Sequence, residues 1–268
     1  MEKSYISEMV GIVYQAGALI KDIHGDFAIK EKEGGVNLVT KYDSMVQRFL
    51  EEKLSAMIPG CTFLAEEDGQ SEVKNHEGYQ FVIDPIDGTT NFVVGFMLSG
   101  ICVGLAKDGE LIDGVVYNPF RDEMFYAEKG KGAFLNGRPI RTEDRPLSGG
   151  VIVFGAAPYN PERRDFAYDS YKVVSNYVMD VHEIGSAALG ICYAACGRAI
   201  AYASPGLSAW DYAAASIILQ EAGGVFTDYY GKPMDLRSSC SYIGTTPTAH
   251  KQFLEVMKDT IEKHNYTL

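Results

Sequence analysis

The apolar positions of this chain change period along its length, and those changes mark its elements. Between residues 4 and 23, Ile6, Met9, Val10, Val13, Gly17 and Ile20 recur at spacings of three and four, predicting an amphipathic helix behind a Ser4 cap. Phe27 to Val39 is more strand-like and is broken by the turn-forming pair Gly34-Gly35. From Asp43 to Met57 the helical period returns, with Met45, Phe49, Leu50, Leu54 and Met57 facing inward and Pro59-Gly60 as the stop. Cys61 to Leu64 is a short strand running straight into Glu66-Glu67-Asp68.

Residues 79–140 read as a meander of Phe81–Ile83, Leu98–Ala106, Leu111–Tyr117, Glu123–Ala127 and Gly132–Leu135, with turns at Lys107-Asp108-Gly109 and Lys129-Gly130. Strands joined by tight turns argue for antiparallel pairing. The polar, proline-containing stretch near 142–150 is a subdomain boundary inside one domain spanning residues 1–268. Beyond it strands and helices alternate: Val151–Phe154, a helix over 160–177, extended chain over 178–184, and a small-residue helix from Ser186 to Cys196. A strand Ala199–Ala203, a helix Asp211–Ala222, a strand Val225–Asp228 and a closing helix over 248–264 complete the chain. The two textures together predict layers of helix and sheet, an α/β (α+β layered) fold.

Composition narrows the partners. The formal charge of −12 argues against a nucleic-acid backbone or an anionic membrane. It leaves room for a small phosphorylated substrate, because bound cations reverse the local field. The five cysteines include no C-x-x-C pair and no second ligand pair for zinc, which suggests buried thiols in a reducing compartment. The first residues, Met1-Glu2-Lys3-Ser4, open neither a signal nor a transit peptide, and no apolar run approaches the ~18 residues of a membrane span. The expectation is a soluble, cytoplasmic protein.

The chemistry concentrates in Asp84-Pro85-Ile86-Asp87-Gly88-Thr89-Thr90-Asn91-Phe92, directly after the apolar run Tyr79–Ile83. Two carboxylates stand where a strand ends in a proline turn, and a glycine with two hydroxyl residues follows where a helix would begin. Glu66-Glu67-Asp68 ends another strand, and Asp211 follows the only tryptophan, Trp210. Each alone has an ordinary explanation: Asp211 is a good N-cap, Glu66-Glu67-Asp68 a solvated turn, Asp84-Pro85 a turn initiator. Were the strands neighbours, four or more carboxylates would share one crevice and resist ionisation until cations neutralise them. Oxygens without imidazole or thiolate select Mg²⁺, Mn²⁺ or Ca²⁺ over zinc. Gly88 permits close backbone approach, and N–H groups there suit phosphate oxygens. Thr89 suits the orientation of a water. The residues point to metal-assisted phosphate chemistry.

Leu64-Ala65-Glu66-Glu67, the stretch Asp84–Phe92 and Trp210-Asp211-x₁₁-Gly223-Gly224 resemble, in order and spacing, the inositol monophosphatase family of Mg²⁺-dependent, lithium-inhibited phosphatases. The resemblance runs from the first helix to about residue 245. It implies an αβαβα five-layer sandwich of the inositol monophosphatase/fructose-1,6-bisphosphatase type, usually a homodimer, holding two or three Mg²⁺ ions. It implies Glu66, Asp84 and the carbonyl of Ile86 as ligands of one ion, and Asp84, Asp87 and Asp211 as ligands of a second, with a weaker third near Glu66. Glu66, Thr89 and Asp43 are implied as catalytic, Asp43 working with Thr89 on the water. Asp87, Gly88 and Thr89 would hold phosphate, and Gly185, Ser186 and Ala187 would line the substrate. Two departures stand out. Ser204 occupies the place, seven residues before Asp211, where inositol phosphatases commonly have a glutamate for inositol hydroxyls. Gly155-Ala156-Ala157 is poor in hydroxyls.

The expected activity is therefore a Mg²⁺-dependent phosphomonoesterase, with inositol-1-phosphate the leading substrate. Alternatives of the same chemistry are a 3′(2′),5′-bisphosphate nucleotidase, a fructose-1,6-bisphosphatase or an NADP(H) phosphatase. Glu162-Arg163-Arg164-Asp165 offers cations for a second phosphate, or is a solvated helix turn. Alternatives of another class are a catalytically silent regulatory dimer and a passive Ca²⁺ module. The tip Lys30–Gly35 reads as an exposed turn or as a loop closing over the site.

Overall fold

The computed structural model of the chain describes residues 4–23, 27–31, 38–68, 77–156, 161–234, 236 and 240–264. Most of the expected closing loop, residues 32–37, and Ala157 lie outside the described residues. In chain order the elements are α1 (Ile6–Ala18), β1 (Lys30–Glu31), β2 (Leu38–Val39), α2 (Lys41–Met57), β3 (Thr62–Ala65), β4 (Tyr79–Asp87), α3 (Thr89–Val94) and β5 (Gly100–Lys107). Then follow β6 (Glu110–Asn118), β7 (Glu123–Glu128), β8 (Gly132–Leu135), β9 (Arg138–Ile140), β10 (Val151–Phe154), α4 (Pro161–Val174), β11 (Asp180–His182) and α5 (Ala187–Ala195). The last are β12 (Ala201–Leu207), α6 (Ala209–Glu221), β13 (Val225–Asp228), β14 (Cys240–Thr245) and α7 (Pro247–Lys263).

A seven-stranded sheet runs in sequence order from β3 to β9, parallel only between β3 and β4. A five-stranded sheet has the order β11-β10-β12-β14-β13, with β10 parallel to both β11 and β12. The strand period of two divides side chains between three cores. Phe81, Ile83, Ile101, Val103 and Val115 join α1 and α2 on the outer face of the first sheet. Val82, Cys102, Val116 and Phe125 face the other way, onto α5 and α6 and onto Val153, Tyr202 and Tyr242 of the second sheet. Ile152, Phe154, Ala201, Ala203 and Ile243 turn outward against Phe166 of α4 and Phe253 and Met257 of α7. The layers are thus α1/α2, first sheet, α5/α6, second sheet, α4/α7, the five-layer mixed α/β arrangement expected.

The middle helix layer needs small residues on both sides. A Cβ built on Gly114 of β6 would lie 2.4 Å from the Ala214 carbonyl oxygen, so α6 rests on bare backbone there. That explains why α6, rich in alanine, shows no polar stripe: nearly all of it is buried.

Several expectations need correction. Met45 is 39 % exposed and Phe49 only half-buried, whereas Val46 and the polar Gln47 face the core. The helical phase of α2 is set by its start at Lys41 behind Thr40, earlier than the predicted Asp43. The first helix ends at Ala18, although Ile20 beyond it remains buried. β9 and β14 are additional strands. β14 lies between β12 and β13, and its Gly244 packs where a Cβ would meet Leu219 at 2.8 Å, so a glycine interrupts what would otherwise be the strand-forming run Tyr242-Ile243-Gly244-Thr245. The proline at 85 does not end β4; the strand continues to Asp87.

Candidate active site

That continuation builds the site. In a regular strand, residues three apart face opposite sides. Between the pairs Asp84↔Cys102 and Asp87↔Gly100, β4 advances three residues while β5 advances two. This one-residue bulge contains Pro85, a proline placement typical of bulges. Both aspartates consequently face the α5/α6 layer, as Cys102 does. The parallel pair Ala65↔Ile83 then sets the following residues, Glu66 and Asp84, side by side.

Each remaining acid is held by an element end. Asp87 sits at the N-terminus of α5, where Ala188 N donates to its Oδ2 at 2.9 Å, Ala187 N to its Oδ1 at 3.2 Å, and the Ser186 hydroxyl to Oδ2. Asp211 is the third residue of α6 and accepts from Ser208 N at 2.7 Å in a capping box. Asp43 is the third residue of α2. Its Oδ2 accepts from Thr40 N at 2.7 Å and Thr40 Oγ1 at 2.6 Å. Its Oδ1 faces Thr89 Oγ1 at 3.2 Å, and that hydroxyl also lies 3.1 Å from the Ile86 carbonyl.

Burial and mutual repulsion dominate the electrostatics. Asp84 is 2 % exposed, and burial, followed by Glu66, Asp87 and Asp211, holds its carboxyl well above the usual range. Asp87 is pushed up to about 6 by burial, against the opposing pull of Ser186, Ala188 and Ala187. Burial raises Asp43 as well, offset by Thr40. Cys102, paired with Asp84, is driven far up by burial and stays a thiol, so the available donors are oxygens.

Glu66, Asp84, Asp87, Asp211 and the Ile86 carbonyl are therefore the groups that could hold metal. Among the described residues, no three or more acidic, imidazole or thiol side chains are arranged, as they stand, to hold a metal ion. Asp84 and Glu66 bond to each other, while Asp87 and Asp211 spend oxygens on backbone N–H groups. The donor chemistry nonetheless fits a hard divalent cation, since crowded buried carboxylates need positive charge to ionise.

Beyond the acids, Gly88 caps α3 at φ 83°, and a Cβ on it would lie 2.8 Å from the Gly185 carbonyl oxygen. Only glycine meets both conditions. The loop is pinned by residues that the sequence reading passed over. Ser99 Oγ donates to the Gly88 carbonyl at 2.9 Å. Asn91 Nδ2 bridges Leu98 O at 2.8 Å and Ile184 O at 2.6 Å. Gln47 accepts from Glu67 N at 3.1 Å and donates to Asp68 at 3.0 Å, fixing the turn that carries Glu66. A glutamine between Val46 and Leu50, on the buried helix face, was the available signal for it. Of the candidate site residues, Glu66, Asp84, Asp87 and Asp211 cluster, Asp43 meets Thr89, and Gly185–Ala187 abut Asp87 and Gly88. Ser186 is buried and its hydroxyl is committed to Asp87, whereas Gly185 is exposed.

Comparison with known proteins agrees with this geometry. The inositol monophosphatase family model matches residues 2–262. Inositol monophosphatase 2 of Saccharomyces cerevisiae is 37 % identical over 78 % of this chain and 76 % of its own. The Nus factor SuhB of Xylella fastidiosa is 33 % identical over 86 % of this chain and 84 % of its own. A solved IMPase structure from Thermotoga maritima superposes with a TM-score of 0.84 at 28 % identity, covering 96 % of this chain and 98 % of that one. A match of that extent, over a chain whose acids gather at the bulge of β4, makes this protein a member of the inositol monophosphatase family and a phosphoric monoester hydrolase.

Proposed function

We propose that the protein is a Mg²⁺-dependent phosphomonoesterase for a small phosphorylated metabolite, with inositol-1-phosphate as the leading substrate. The observation that carries this reading is the oxygen-only cluster of Glu66, Asp84, Asp87 and Asp211 beside the Asp43–Thr89 pair. Glu66, Asp84, the Ile86 carbonyl, Asp87 and Asp211 would hold two or three ions. Bound Mg²⁺ supplies positive charge for the phosphoryl oxygens and lowers the pKa of water.

The chain's own residues position the rest. Asp43, fixed by Thr40, accepts the hydrogen bond of the Thr89 hydroxyl, leaving the Thr89 oxygen lone pairs to accept a hydrogen bond from the attacking water. The water oxygen attacks phosphorus and the phosphorus–ester oxygen bond breaks; of the water's two protons one stays with the phosphate and the other ends on the leaving alkoxide, which departs as the alcohol. The backbone at Gly88 and Thr89 is open enough for a phosphate to approach, because position 88 has no side chain. The buried hydroxyl of Ser186 keeps Asp87 aimed at the cluster.

Phosphate release from inositol-1-phosphate, adenosine 3′,5′-bisphosphate, fructose 1,6-bisphosphate and NADP, with Mg²⁺ varied, tests both halves of the reading. Release that requires Mg²⁺ is expected; release unchanged by chelation would refute the metal role. A strong preference for a bisphosphate would displace inositol-1-phosphate as the leading substrate. The SuhB relative, named as a Nus factor, favours a second reading as a regulatory protein. A chain that binds Mg²⁺ and releases no phosphate from any of these esters would support it. The exposed apolar residues Val94, Phe96 and Met97 favour a homodimer, which sedimentation checks.

A further inference from the structure

The parallel strands β10, β11 and β12 end at one edge of the second sheet, beside the acidic cluster. β10 leads to Gly155 and Ala156, β11 to Glu183 and Gly185, and β12 to Ser208 and Asp211. Crevices outside the carboxyl ends of parallel strands are where α/β sheets receive ligands. With the phosphate at the β4 end, as proposed above, this rim would face the organic part of a substrate.

Ser204 is 1 % exposed and its hydroxyl is used inside its own turn, donating to Gly206 O at 3.2 Å and accepting from Gly206 N at 3.4 Å. Glu183 accepts from Ala156 N at 3.2 Å. Arg163, in the first turn of α4, brings a cation to this rim. A Cβ built on Gly206 would fall 1.9 Å from Arg163 Nη1 and 2.9 Å from its Cζ. The guanidinium thus rests against the Gly206 backbone, and a side chain at position 206 would require the arginine end to shift. Gly206 is not among the glycines with positive φ, so space and not backbone conformation makes the demand. A planar fork of N–H donors at that place is matched to phosphate oxygens.

We propose that Arg163 is a specificity-determining residue that receives a second phosphate of the substrate, extending the range of the site from monophosphates to bisphosphates. This rests on the phosphatase reading above: one phosphate lies at the Asp84–Thr89 end and is hydrolysed, and the other binds the β12 rim and is kept. The contribution is that of a charge-assisted hydrogen bond, about a ten- to hundredfold gain in kcat/KM, carried mainly by KM.

Two matched pairs test it: fructose 1,6-bisphosphate against fructose 1-phosphate, and adenosine 3′,5′-bisphosphate against adenosine 3′-phosphate, each with Mg²⁺. The wild-type chain should prefer the bisphosphate in at least one pair by about tenfold or more. Arg163→Gln should erase that preference while leaving the monophosphate rate of the folded variant unchanged. Arg163→Lys should restore part of it, and Gly206→Ala should mimic the loss with the arginine still present. Equal losses on both members of a pair, a preference that survives Arg163→Gln, or no preference in either pair would overturn the assignment while leaving the phosphatase reading intact. A wild-type chain that hydrolyses none of the four esters would instead sink the phosphatase reading, and this assignment with it.

Discussion

At the scale of single residues, Asp87 shows how a carboxylate can be both buried and aimed. Burial pushes its pKa up to about 6, and Ser186 leads the groups that oppose the rise. Ser186→Ala should therefore raise that pKa further and hold the carboxyl protonated to higher pH. We expect kcat/KM to fall about tenfold, with the acid limb of the pH–rate profile displaced upward and the deficit larger at pH 6.5 than at pH 8.5. An equal deficit at both values would contradict this role for Ser186. Asp113 offers the same physics away from the site. It is 2 % exposed, lies opposite Glu128 in the β6–β7 ladder, and its Oδ1 has no hydrogen-bond partner among the described residues. Burial, then Glu128, pushes its pKa up to about 7. The folded state therefore holds a proton that the unfolded chain releases near pH 4, so stability is lost as pH rises from about 4 through 7. Asp113→Asn should stabilise the fold by about 1–3 kcal/mol in urea at pH 8 and not at pH 4. The acids and Thr89 were legible in the sequence because their chemistry is concentrated in short runs. Gln47, Asn91 and Ser99 were not, because a polar side chain that only ties backbone together has no pattern of its own.

At the scale of elements, the site is made by ends and irregularities. Asp43 and Asp211 are both third residues of capping boxes, so one carboxylate starts a helix and faces the cluster. Thr40→Ala should cost about 1 kcal/mol of stability, read from urea unfolding, and should lower kcat further by loosening Asp43. The bulge at Pro85 was misread as a turn, since proline and aspartate signal turns equally well. Only the pairing with β5 shows that the strand persists past it. β14 escaped notice for a related reason, its glycine being required by packing against Leu219 and Phe226. The packing of α6 supplies a further test. Gly114→Ala places a methyl group against the Ala214 carbonyl, so overpacking should destabilise the fold by about 1–3 kcal/mol. It should also reduce turnover, because α6 carries Asp211. Full activity in a folded Gly114→Ala variant would show that the depth of α6 does not matter.

For the molecule as a whole, the five-layer order was readable from the change in texture near residue 142 together with the family resemblance, not from strand periods alone. The layers place the carboxyl ends of β3 and β4 from one sheet against the helices α5 and α6 that follow β11 and β12 of the other. Both sheets must be assembled before the four acids meet, which ties the site to global folding. Among the described residues, no helix is long and apolar enough to cross a membrane. Ions that bind only the assembled cluster should stabilise the whole chain. Mg²⁺ at ten times its dissociation constant should raise the melting temperature by about 2–3 °C, and Asp84→Asn should abolish that shift.

The most direct measurement is phosphate release from inositol-1-phosphate by the wild-type chain and by Asp87→Asn across a Mg²⁺ titration, with circular dichroism on both. Wild-type turnover that rises with Mg²⁺ and vanishes with chelator is predicted, as is a folded Asp87→Asn variant slower by about 100-fold or more. A folded variant that keeps wild-type turnover would contradict the account of metal-assisted hydrolysis at the bulge of β4.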